Sequence, residues 1–353
     1  MRTAVLLLMT LCALTPTAFS VRQADTLGTG KIVDDDGTRI HVIGLKSKRP
    51  RDLVTAIRAL HPSQALGACM ADLKEELGYP DALVVYYPVG DNPFGGVLIA
   101  VVDPQDSARV NYRAKPTVAQ ALPTRWRDIP TPSLLGSRLQ AIFRGYMLLL
   151  KGQRAEALQL ADSYGVARDT AKAFWNSLRT KSEPFDRDVA TEILAFDSVD
   201  THRIVAAAVL MNFEPTQASW WALVEALRDP VNAVREVARF GLRGFVGREE
   251  AIPPVDWRPV AGSLYYLLNG TNPSAFLDLL DVLRKTRIDR ALAATVLRQG
   301  NVFLSGFLEA DYAPFRQHIV RFLQYLYDDS RDDVDYWRNR IARETFKAEP
   351  SAQ

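Results

Sequence analysis

Two stretches of the chain repeat each other at a spacing of 32 residues, and that spacing constrains the fold more than any other feature. Asp197-Ser198-Val199-Asp200-Thr201-His202-Arg203 aligns with Asp229-Pro230-Val231-Asn232-Ala233-Val234-Arg235. Carried onward, the register pairs Val205 with Val237, Ala206 with Ala238, Leu210 with Leu242 and Phe213 with Phe245. Apolar residues at these offsets follow the period of a helix with one buried face. A single hairpin cannot cover its own apolar face, so a repeated hairpin implies neighbours stacked on one another.

The pattern resembles the HEAT repeat, in which a turn Asp and an Arg six positions later precede an Ala and a Leu on the second helix. Leu223 to Leu242 is the fullest match, with Pro230 just after the turn Asp. In such a hairpin the Asp is expected to open the second helix as its N-cap. The Arg is expected to pair with a turn Asp of its own or a neighbouring repeat. The resemblance covers residues ~185–285. Downstream, Asn269 stands forty positions after Asp229 and no Arg follows at the expected place, so that copy is degenerate. In HEAT-type stacks the second helices line the concave side, which commonly serves as the binding face. The resemblance therefore implies binding positions at Ile204, Ala207 and Met211 in one copy and at Glu236, Arg239 and Arg243 in the next. The first set is an apolar stripe that either the N-terminal domain or a partner should cover.

Helical periodicity extends on both sides of the repeat. It predicts helices through Leu139–Leu150, from Arg154, and through Ala171, Phe174, Trp175 and Leu178. Further helices are predicted at Phe276–Leu283, Arg290–Arg298, Val302–Leu308, Pro314–Tyr327 and Val334–Arg343. The last, polar on one side, suits a terminal cap. Residues 134–345 are thus read as a mainly α-helical, HEAT-like α-solenoid.

Residues 30–113 read differently. Lys31-Ile32-Val33 and Arg39 to Ile43 flank Asp34-Asp35-Asp36-Gly37-Thr38, the signature of a hairpin. Helices are predicted from Leu53 through Leu60 and over Ser63–Leu77. Ala82–Tyr87 and Gly96–Val102 then read as central strands joined by the turn-rich Pro88–Gly95. The expectation is a small α+β domain: an antiparallel sheet carrying two helices on one face. Pro116, Pro123, Pro130 and Pro132 mark residues 114–133 as a linker.

The N-terminus has the layout of a secretory signal over residues 1–20. Arg2 is the basic element, Ala4–Ala13 the apolar core, and Ala18-Phe19-Ser20 the cleavage site. The apolar run is far shorter than the ~20 residues that span a bilayer, so the chain is expected to be exported, periplasmic or extracellular, with no transmembrane segment. Removal of the signal takes Cys12 with it and leaves Cys69 without an internal disulfide partner. The 43 basic and 41 acidic residues nearly cancel. That balance argues against a nucleic-acid partner, which asks for a basic excess.

Chemistry-bearing residues are sparse. No spacing among the four histidines suggests a metal site, and no cofactor motif is present. His202 aligns with core-facing Val234 and is expected to be buried and satisfied. Gly67-Ala68-Cys69-Met70-Ala71 resembles the nucleophile elbow of α/β-hydrolases, but no strand precedes it. Asp34–Asp36 lacks the ligand alternation of a calcium loop, and Asn269-Gly270-Thr271 is a glycosylation sequon. Two readings follow. The first is a non-enzymatic, protein-binding scaffold or adaptor whose partner is another protein or an envelope component. The second is a secreted hydrolase with Cys69 and His41 or His61 as its catalytic residues.

Overall fold

The computed structural model describes residues 29–33, 37–60, 66, 70–130, 138–247, 252–297 and 301–346. Residues 1–20, read above as a secretory signal, lie outside them, as do Asp34–Asp36, His61 and Cys69.

The chain opens with a four-stranded sheet: β1 (Gly30–Val33), β2 (Arg39–Ile43), β3 (Ala82–Val89) and β4 (Asn92–Val101), in the order β1-β2-β4-β3. The two outer pairs are antiparallel, but β2 and β4 run parallel, with His41 opposite Leu98. The sheet is therefore mixed rather than antiparallel. Two parallel strands need a long crossover between them, and α1 (Pro50–Leu60) and α2 (Met70–Glu75) lie in that crossover. Only β4 of the two long apolar runs is central; β3 is an edge. The register slips between Tyr87 and Val89, around Pro88, a residue that sheets tolerate at edges. The strands also approach much closer than expected, turning within Gly90-Asp91.

Strand alternation divides the side chains of β2 and β4 between two cores. Ile40, Val42, Val97, Ile99 and Val101 pack with Leu53, Val54 and Ile57 of α1 and Leu73 of α2. Ile43, Leu98, Ala100 and Val102 face the other way, into a core continuous with the helices that follow. On that side α13 (Asn301–Glu309) lies against β2, and Tyr87 stacks on Tyr312 and meets the edge of Phe315 at the start of α14 (Ala313–Tyr327). Covering both faces matches the unbroken apolar run of β4.

The approach of α13 depends on a missing side chain. A Cβ on Gly306 would stand 2.6 Å from Cγ2 of Ile43. Gly306→Ala is expected to lift α13 from the sheet and lower the denaturant-derived stability by about 1–3 kcal/mol. An unchanged transition would show that α13 is not seated on β2.

From residue 138 onward the described chain is mostly helical: α3 (Leu139–Leu150), α4 (Arg154–Ser163), α5 (Arg168–Arg179), α6 (Pro184–Phe196), α7 (Asp200–Leu210), α8 (Gln217–Ala226), α9 (Asn232–Val246), α10 (Ala261–Asn269), α11 (Phe276–Lys285), α12 (Arg290–Leu297), α13, α14 and α15 (Val334–Phe346). One row of contacts runs α6-α8-α10-α12 and a second runs α7-α9-α11-α14, with α6 on α7 and α8 on α9. Contacts also reach beyond sequence neighbours: α3 packs on α9, and α13 on β2. At the end of the chain Trp337 is buried in α15, stacked on Tyr327, whose ring also carries the Arg340 guanidinium.

The proline-rich stretch, as far as it is described, is strapped to the helices. Val118 bridges Asp197, and the Trp126 indole, fully buried, donates to Asp186 at 2.8 Å. Arg113 donates its backbone N–H to the Arg228 carbonyl at 2.7 Å, and Arg228 returns two bonds to Asn111.

Candidate functional site

The 32-residue register reappears bond for bond. Asp197 Oδ1 accepts the Val199 N–H at 2.8 Å, and Asp229 Oδ1 accepts the Val231 N–H at 2.9 Å. Arg203 Nη1 donates to the Asp197 carbonyl at 2.8 Å; Arg235 Nη1 donates to the Asp229 carbonyl at 2.7 Å. The second guanidinium nitrogens reach Asp200 and Asn232, the first residues of α7 and α9. The N-caps are Val199 and Val231 rather than the aspartates. Each aspartate bonds the N–H two residues on, the Asx-turn geometry that leads the chain into the helix.

Arg203 spans two copies. Beyond its own turn it grips Asp229 of the next with Nε at 2.9 Å and Nη2 at 3.0 Å, and Arg113 of the strap adds a contact at 2.6 Å. Burial works to raise the Asp229 pKa, but the bonds from Arg203 and Arg113 outweigh it and hold the carboxyl below its ordinary value. Arg235 has no aspartate waiting in the degenerate copy. Its guanidinium lies 4.4 Å over the Tyr112 ring, and the Tyr112 hydroxyl donates to Asp81 at the start of β3. Asp81 also accepts the Asn272 N–H at 2.9 Å. An acid of the sheet region thus meets the backbone where the repeat lacks its own.

The candidate binding residues separate sharply. Ile204, Ala207 and Met211 are buried to 5% exposure or less. Their helix, α7, packs among α5, α6, α8 and α9, so the cover comes from helices of the same region. The charged set begins a strip across α9, α11 and α14. Glu236 is buried and bonded to Arg239 at 2.8 Å, and Arg239 also donates to the Ser274 carbonyl. Asp278 lies 3.8 Å from Arg239 and 3.7 Å from Arg243. Asp281 pairs with Arg284 and Lys285; burial pushes its pKa up, but those cations hold it below the usual range. His318 of α14 is held below its ordinary value by burial, against the pull of Asp281 and Asp278. Arg243 remains 41% exposed at its side chain, and Arg321 is exposed.

His41 is 1% exposed, with neither ring nitrogen hydrogen-bonded. Alternation puts it on the Ile43 side of the sheet, away from α1 and α2. Burial lowers its pKa to about 4, the charge of Lys31 adds to that, and Asp311 opposes it. His202 is partly exposed rather than buried, with 24% of its side chain accessible, and its Nδ1 lies 2.7 Å from the buried Asp197 carboxylate. Asn269 of the sequon is 2% exposed and donates to the Tyr265 and Val296 carbonyls. Among the described residues no group of His, Cys, Asp and Glu gathers as metal ligands would, and no helix is long and apolar enough to cross a membrane.

Comparison with known proteins finds no matching family, curated protein or solved structure.

Proposed function

We propose that this chain is an exported, non-enzymatic scaffold built on HEAT-like repeats, which binds another protein or envelope component along the charged strip of α9, α11 and α14. The observation that supports the reading is the Asp–Arg turn repeated at 32 residues, together with the rung from Arg203 to Asp229 that ties one copy to the next. The strip supports it further. Its charges alternate across three helices, and a partner of complementary pattern would gain specificity and association rate from it.

Arg243→Glu combined with Arg321→Glu reverses two exposed cations of the strip without touching the core. In affinity capture from an envelope extract, the double variant should lose a partner that the native chain retains, with an unchanged circular dichroism melt. Retention of every partner by the variant would remove the strip from the proposal. Export is tested separately by cell fractionation, where full-length chain confined to the cytosol would refute it.

A further inference from the structure

A second feature lies on α3, α4 and α5. A cleft of about 240 Å³ opens between the α3–α4 hairpin and α5. Lys172, Trp175, Asn176 and Arg179 line it from α5, at the i, i+3, i+4 and i+7 positions that share one helix face. Arg154 at the start of α4 faces them, with Leu149 and Leu158 completing the wall.

Three cations meet here and no carboxylate lines the cleft. Lys172 has an ion pair with Asp169 at 3.2 Å, but that side chain is 97% exposed and outside the lining. Among the described residues, Arg154 and Arg179 have no acid within ion-pair reach. The floor is rigid. The Trp175 indole donates to the Ile142 carbonyl at 2.9 Å, and its ring occupies the space that a Cβ on Gly145 would need, 2.5 Å away. Like charges brought together around an apolar floor repel one another until an anion joins them. The size is below that of the usual drug-sized pocket and suits an acid group on a short apolar body.

We infer that this cleft binds a small organic anion, with Arg154, Lys172 and Arg179 holding its acid group, Asn176 able to donate to it, and Leu149 and Leu158 receiving its apolar body above the buried Trp175. It stands independently of the protein-binding reading.

The probes are 4-phenylbutyrate, its neutral amide, inorganic phosphate and an acidic hexapeptide, each titrated calorimetrically into the full chain. Phenylbutyrate should bind in a salt-sensitive manner and should be favoured over both the amide and phosphate. Arg154→Glu with Arg179→Glu should weaken it about tenfold or more without shifting the melt of the free protein. Lysine at both positions should restore most of the binding. The inference is overturned if phenylbutyrate does not bind, or if the glutamate variant binds it as well as the native chain. Equal binding of the amide or of phosphate overturns it too. Tighter binding of the hexapeptide at the same residues would also refute a small-molecule site and give the cleft to a protein partner.

Discussion

Asp229→Ala should be among the most damaging single substitutions in the helical region, costing about 3–5 kcal/mol in equilibrium unfolding. Asp229 and Arg203 are both fully buried, and the carboxylate is shared by two arginines and a backbone N–H. Removing it leaves the Arg203 charge in the interior, with the Asp197 carbonyl and the half-exposed Asp200 as its remaining acceptors. The loss therefore reflects an uncompensated buried cation more than the net worth of the pair. A combined Asp229→Leu, Arg203→Met and Arg113→Met chain should recover much of the stability, because both arginines that the carboxylate neutralised go with it. Should Asp229→Ala unfold within about 1 kcal/mol of the native chain, the rung is not a structural brace.

The second large effect is acid sensitivity centred on His41. Its folded pKa of about 4 lies below the ordinary value of 6.5, so the unfolded chain takes up a proton that the folded chain refuses. The stabilisation is complete above pH 6.5 and is lost progressively as the pH falls toward 4, reaching about 3 kcal/mol. His318, lowered by burial as well, adds in the same direction. His41→Val puts a strand-forming apolar residue where neither ring nitrogen is bonded. It should raise stability at neutral pH and flatten the profile between pH 6.5 and 4. Parallel urea titrations of both chains across that range check this; an equally steep loss in His41→Val would assign the acid sensitivity elsewhere.

The local chemistry was the legible part. An Asp and an Arg six residues apart act within one turn, so the register at 197–203 and 229–235 could be read directly and returns in the bonds. The helices from α11 to α15 followed from periodicity in the same way. Pairings between distant segments left no such trace. The parallel alignment of β2 and β4 turns on where the crossover returns the chain, and strand composition does not encode that. Tyr112 and Asp81, which complete the end of the ladder, precede Arg235 by more than a hundred residues. Nothing at either position marks a partnership. The apolar stripe of Ile204, Ala207 and Met211 reads as a surface for the N-terminal domain or a partner, whereas α7 packs among neighbouring helices, and nothing in the stripe says which elements cover it. The cationic face of α5 leaves no signal in the sequence, because Lys172 and Arg179 are ordinary solvated residues until the fold places Arg154 opposite them.

The seating of α13 and α14 on the sheet bears on how the chain comes to be made. Synthesis runs from the N-terminus, so β1 to β4 emerge early, together with the α1 and α2 that shield one side. The other side, with Ile43, Leu98 and Ala100, waits for Gly306 and Phe315. Until they arrive the nascent chain carries an uncovered apolar sheet, the kind of surface that associates wrongly or recruits a chaperone. A chain that stops short of α13 would keep that surface for good.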